Sequence, residues 1–268
     1  MSYTDPQEQQ PQPVTGWQRS VVVSIDRFVY WLASRWVAVF SFVAAIYVGL
    51  PILAPVLMNA GATGPARTIY TVYSPMCHQM ASRSFFLFGE QPAYPRELAG
   101  SDLTPIEAYM PNIPEFAGVP TAPEAWPQFL GPAREFIGNE QMGYKMALCE
   151  RDIAIYGFVL IGSILYGFLR RRFDIKPLPF WAFVVIGMGP IALDGFSQLF
   201  SQYGAASEAL SFLNEIFYLR ESTPFLRTLT GALFGFTLVW MAYPHIDRGM
   251  RDTEETLGNK LRKAGEIE

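Results

Sequence analysis

The chain has 268 residues, half of them hydrophobic and only 16% charged, whereas soluble domains carry about 25% charged residues. A formal charge of −4 and a pI near 5.3 argue against nucleic-acid binding. The mean hydropathy of +0.17 averages strongly apolar runs with polar segments between them, and two cysteines, Cys77 and Cys149, exclude a dense disulfide scaffold.

Residues 1–16 are rich in Gln and Pro, with no apolar core and no early basic cluster. They read as a disordered tail rather than a secretory signal peptide. Four later runs approach the roughly 20 apolar residues that a bilayer-spanning helix needs. The first, Trp36 to Met58, is uncharged and contains Pro51 and Pro55, which bend a helix that its neighbours can still satisfy. The second, Ile153 to Leu169, ends at Arg170, Arg171 and Arg172. Leu178 to Phe200 is the third and holds one acid, Asp194; Phe225 to Tyr243 is the fourth, with Arg227 near its start. Gly231 and Gly235 have the small-xxx-small spacing that permits close helix contact, but the motif is weak alone and ordinary packing is the better reading.

The expected fold is thus an all-α polytopic membrane helix bundle of four transmembrane helices, spanning 17–247, with a tail at 248–268. Short basic loops stay cytoplasmic. Arg170, Arg171, Arg172 and Lys176 therefore place both termini inside, in agreement with Arg19, Arg27 and Arg35 before the first span and Arg248, Arg251, Lys260, Arg262 and Lys263 after the last. A long extracytoplasmic loop, 59–151, follows. Its Pro-rich middle resists regular structure, and its acids suit a solvated cap. Ser74-Pro75 reads as a helix start, giving a re-entrant or interfacial helix over Ser74 to Phe88 with Cys77 in its first turn, where the helix dipole favours a thiolate. A second short interfacial helix is expected over Glu208 to Leu219.

Polar residues gather near the outer ends of these spans. Cys77-His78-Gln79 precedes Arg83-Ser84-Phe85; Cys149-Glu150-Arg151-Asp152 opens span two; Asp194 and Gln198 lie four apart on span three; and Arg220-Glu221-Ser222 precedes Arg227. An ionised residue at mid-span costs about 2.5–3.5 kcal/mol unless partnered, so Asp194 and Arg227 are expected to pair. These pieces resemble domain-of-unknown-function family 2085, a group of uncharacterised prokaryotic integral membrane proteins. The resemblance runs through Cys77-His78, Arg83-Ser84-Phe85, Cys149-x-Arg151, Asp194-Gly195 with Gln198, Arg220-Glu221-Ser222, and Leu226-Arg227 with Thr230-Gly231. Where the family pattern has a second cysteine, this chain has Asp152, and Ala154-Ile155-Tyr156-Gly157 follows in place of Thr-Gly. The resemblance implies a membrane protein and names no reaction.

Cys77, His78, Cys149 and Asp152 are donor types that Zn²⁺ accepts. Adjacent Cys and His point about 100° apart on a helix, which favours two or three of the four as ligands. A Cys77–Cys149 disulfide and a free reactive thiol stand beside that reading. Arg83, Arg151, Arg220 and Arg227 with Gln198 form either a salt-bridge network with Glu150, Asp152, Asp194 and Glu221 or a clamp for an anion. In a catalytic reading the protein is a hydrolase or transferase acting on a lipid-like or anionic substrate. Asp194 or Glu221 then accepts a proton, and Arg227 holds the anion. The alternative is a non-catalytic subunit or assembly factor, whose partners are other membrane subunits as well as the lipid bilayer. No nucleotide-binding loop, HExxH or CxxCH is present.

Overall fold

The computed structural model describes residues 16–122 and 125–268. The expected tail at 1–16 lies outside the described residues except for Gly16, where the first helix begins. The α-helices are α1 (Gly16–Asn59), α2 (Thr63–Tyr73), α3 (Trp126–Glu135), α4 (Glu150–Leu169), α5 (Phe180–Ala206), α6 (Leu213–Ile216) and α7 (Pro224–Lys263). Of these, α1, α4, α5 and α7 are long and apolar enough to cross a membrane. The protein is the all-α membrane bundle that its four hydrophobic runs predict.

Two compact units divide the chain, one built from residues 16–39 with Ile246–Glu268 and the other from Phe40–His245. In the smaller unit the start of α1 and the end of α7 are tied by Lys260–Asp26 at 2.7 Å and Arg27–Glu266 at 2.9 Å. The fully buried Trp36 donates its indole N–H to Asp247 at 3.2 Å. Helix α7 therefore continues well beyond the apolar run that ends near Tyr243.

In the larger unit, prolines inside the spans explain several connections. A helical proline has no N–H for the carbonyl four residues before it. Pro51 orphans the Tyr47 carbonyl, which accepts instead from the Tyr73 hydroxyl at 2.9 Å. Pro55 orphans Pro51's own carbonyl, and the Ala147 N–H reaches it at 3.2 Å. Pro244 does the same to Trp240, whose carbonyl takes the Leu178 N–H at 3.0 Å. Pro190 in α5 is preceded by a π-helical stretch, Phe183–Met188, a widened turn that makes room for a ring which would clash with the preceding turn.

Helix α7 meets α4 through Gly231 and Gly235. A Cβ at Gly231 would press on the Arg151 carbonyl and one at Gly235 on the Ile155 carbonyl. The spacing thus serves backbone-to-backbone approach rather than ordinary packing. Further along the same interface Ser163 and Tyr243 share a 2.6 Å hydrogen bond.

The insertion between α1 and α4 has its own apolar core, with Tyr94, Ile106, Phe129 and Met142 completely buried. Its prolines start short 3₁₀ turns, at Pro111 and Pro114, rather than abolishing order. A small antiparallel sheet of strand order β1-β3-β2 closes it: β1 (Phe86–Leu87), β2 (Gly138–Asn139) and β3 (Gly143–Lys145), with Phe86 opposite Lys145 and Asn139 opposite Gly143.

Two helix expectations need correction. Ser74-Pro75 ends a helix instead of opening one: α2 finishes at Tyr73 and Ser74 is its C-cap, its N–H bonded to the Thr71 carbonyl. Pro75 cannot continue the ladder, which is the usual role of a proline just past a C-cap. Cys77 therefore stands in irregular chain rather than in a first helical turn, and a 3₁₀ turn, Ala81–Arg83, followed by β1 occupies the expected helix. Over Glu208 to Leu219 the chain forms a 3₁₀ turn, Glu208–Leu210, and then the four-residue α6.

Candidate metal and anion site

At the bundle end where α1 and α5 finish and α4 and α7 begin, three carboxylates and four arginines interlock. The first turn of α4 distributes them, because successive helical residues point about 100° apart. Glu150 faces Arg227 at 3.1 Å, Arg151 faces Asp194 at 2.5 Å, and Asp152 faces the Cys149 thiol at 3.2 Å. Asp194 also accepts from Arg220 at 2.9 Å and from the Ser222 hydroxyl at 2.7 Å. Glu221 accepts from Arg227 at 2.9 Å and from Arg83 at 3.0 Å. Gln198 receives the Ser222 N–H at 3.2 Å.

The expected Asp194–Arg227 pair is thus replaced by two separate sets: Asp194 with Arg151 and Arg220, and Arg227 with Glu150 and Glu221. Arg227 sits at the start of α7 against α4's first residue, whereas Asp194 meets Arg220 and Ser222 in the irregular chain before α7. Burial alone would raise the Glu221 carboxyl, but the Arg83 and Arg227 charges outweigh it and hold the group below its ordinary value.

The two cysteines meet beside this network. Cys77 Sγ accepts backbone N–H groups from Gln79 at 3.5 Å and Cys149 at 3.3 Å. The ligand atoms of Cys77, Cys149 and Asp152 all lie within 4.8 Å of one another. Both cysteines are free thiols. The Cys149 thiol hydrogen-bonds Cys77 and lowers its pKa, with the two backbone N–H groups adding to this against burial; the same contact, with burial, raises Cys149. Cys77 is therefore the first of the two to become a thiolate. His78 is exposed and outside the three-ligand group. It lines the same cavity as Cys77.

Gln79 fixes this turn. Its backbone is left-handed, with φ of 53°, an uncommon state for a side chain of this kind. Its side-chain amide donates to the Tyr70 and Ala147 carbonyls, each at 2.9 Å, so one residue joins the chain before Cys77 to the chain before Cys149. Lys145, wholly buried, donates from Nζ to the Gln79 carbonyl at 2.5 Å and to the Arg134 carbonyl at 2.7 Å. Burial pushes the Lys145 pKa down to about 7. Neither Lys145 nor the supporting role of Gln79 is legible in the sequence: a single lysine in a loop carries no signal of burial, and φ is not encoded in residue type for Gln.

A cavity of about 330 Å³ opens over this arrangement. Cys77, Cys149 and Asp152 line it together with Arg83, Arg151, Arg227, Gln198 and Gln202. Asp194, Glu221 and Arg220 do not line the cavity, although Asp194 and Glu221 hold the arginines that do. The wall chemistry suits a soft divalent cation beside an anion.

Four apolar spans carrying a partnered cluster of charge define a multi-pass helical membrane protein. Residues 132–241 match the model of the family that the motifs resemble, described as a predicted membrane protein (DUF2085). The matched stretch contains Cys149, Arg151, Asp152, Asp194, Gln198, Arg220, Glu221 and Arg227, and begins after Cys77, His78 and Arg83. An uncharacterized protein of Methanocaldococcus jannaschii is 28% identical over 176 residues, covering 66% of this chain and 67% of that protein. No solved structure matches the chain significantly.

Proposed function

We propose that this membrane protein binds a transition-metal ion of the zinc class through Cys77, Cys149 and Asp152 and presents it, with Arg83, Arg151 and Arg227, to an anionic substrate for hydrolysis or group transfer. The supporting observation is the approach of two thiols and a carboxylate to within 4.8 Å beside a cavity walled by guanidinium groups. Three protein ligands with a fourth direction left open is the pattern of catalytic rather than structural zinc sites. The two backbone N–H groups on Cys77 Sγ favour its ionised, ligating form. A bound cation of this kind supplies Lewis acidity toward an oxygen of the substrate.

The chain's own groups take distinct parts. Arg227 and Arg83 are oriented by Glu221, and Arg151 by Asp194. Asp194 already accepts three donors, from Arg151, Arg220 and Ser222. It therefore serves as a positioning residue for Arg151 rather than as a free proton acceptor. His78, exposed on the rim, is left to contact substrate rather than metal. The cluster faces the non-cytoplasmic side if the basic 170–176 loop is cytoplasmic.

Metal analysis of the protein purified under reducing conditions tests this reading. About one ion per chain is expected for the wild type, with loss in Cys77→Ala and Cys149→Ala; a metal-free wild type, or metal unaffected by both substitutions, ends it.

A further inference from the structure

A second cavity of about 330 Å³ adjoins the first. His78, Met80, Arg83, Leu199 and Gln202 line both. Beyond Arg83 the walls become apolar. Trp126, Pro127 and Leu130 of α3 face Leu199, Tyr203 and Ala206 of α5. The Arg83 guanidinium lies 4.6 Å from the Trp126 ring centre, so a cation stands at the boundary between a polar chamber and an apolar one. Leu199 and Tyr203 are exposed on α5 together with Phe196 and Phe200. The apolar chamber therefore continues onto a span surface that a bilayer would cover.

We infer that the two chambers together hold a single amphiphile, a lipid phosphate. Its anionic head lies among Arg83, Arg151 and Arg227, and its hydrocarbon chain runs between α3 and α5. Guanidinium groups match phosphate geometry. A free phosphate has no use for an apolar chamber, and a zwitterionic lipid would bring its own cation into a wall of arginines. This inference rests on the anion-holding part of the proposed function and is independent of the metal.

The test uses full-length, chelator-treated protein in phosphatidylcholine nanodiscs containing a minor fraction of phosphatidic acid, with bound lipid read by native mass spectrometry. Phosphatidic acid should be retained about tenfold above its bulk share. Leu199→Trp and Ala206→Trp fill the apolar chamber from exposed positions, where folding is spared, and each should lower retention about tenfold. Arg83→Gln should do the same from the polar side. Glycerol phosphate and inorganic phosphate should compete poorly. Equal retention of phosphatidylcholine, displacement by glycerol phosphate at matched concentration, or wild-type retention in both tryptophan variants would overturn the inference. Metal content measured on the untreated protein separates the two ideas: a metal-free protein that keeps its phosphatidic acid removes only the metal.

Discussion

Arg227→Met is the most informative single substitution. The Arg227 side chain is 3% exposed, and its partners Glu150 and Glu221 have fully buried side chains. The methionine removes the Glu150–Arg227 ion pair, while Glu221 keeps its contact with Arg83. It also frees the Ser82 carbonyl, which accepts from Arg227 at 3.3 Å. Removing one member of a buried pair costs about 3–5 kcal/mol. Arg220→Met provides the contrast. That side chain is 35% exposed, and Asp194 would still accept from Arg151 and Ser222, so about 1 kcal/mol or less is expected. Unfolding equilibria in mixed micelles, followed by loss of helical signal, would report both values. Adding Glu150→Gln to Arg227→Met removes the stranded carboxylate and should recover part of the loss, a coupling of about 0.5–3 kcal/mol. Equal effects of Arg227→Met and Arg220→Met would refute the reasoning, because they would mean that burial does not set the worth of these pairs.

Three further expectations follow from the packing. Tyr73→Phe strands the Tyr47 carbonyl inside α1 and should destabilise by about 1–3 kcal/mol; in a Pro51→Ala background, where the helix supplies its own N–H, the same change should cost much less. Gly235→Ala drives a methyl into the Ile155 carbonyl, while Gly157→Ala meets open space, so thermal unfolding should fall sharply for the first and stay level or rise for the second. Lys145, held near 7 against an ordinary 10.5, is neutral in the folded protein and charged in the unfolded chain between those pH values. Stability should therefore rise with pH across that window by up to about 1.4 kcal/mol per unit, and be flat from this group below it; a wild-type minus Lys145→Met difference that does not change between pH 7 and 10 would contradict this.

The spans were legible because burial in lipid demands long apolar runs, and the four runs from Trp36–Met58 to Phe225–Tyr243 meet that demand. The grouping of Cys149, Arg151, Asp194, Arg220 and Arg227 was legible for a related reason, since charge beside a span has to find a partner. Which partner was not. Asp194 and Arg227 lie toward one end of adjacent spans, yet the pairing depends on which way each helix is rotated, and that is set by contacts such as Gly235 against Ile155 that spacing alone does not orient. The Ser74-Pro75 misreading has a local cause: the same dipeptide can open a helix or close one, and the buried Tyr70 and Tyr73, whose hydroxyls bond Lys145 and Tyr47, decide for closure. The core of the insertion was hidden by its prolines, which start 3₁₀ turns around Tyr94 and Phe129.

The prolines in α1 bear on the site more directly than a bend would. A carbonyl without a partner inside a membrane costs several kcal/mol, so Pro51 and Pro55 each create a demand for an outside donor. The donors come from Tyr73, four residues before Cys77, and Ala147, two before Cys149. Gln79 then ties Ala147 to Tyr70, so both cysteine-bearing segments are fastened to the same turn of α1 and to each other. The approach of the two thiols is thereby coupled to a defect in a transmembrane helix. Restoring that helix with Pro51→Ala and Pro55→Ala would improve α1 as a helix and, by satisfying Tyr47 and residue 51 internally, release the segments that hold Cys77 against Cys149. A more stable span with slower Cys77–Cys149 crosslinking by a short bifunctional thiol reagent is the expected result; unchanged crosslinking would show that the insertion's own core, not the span, sets the site.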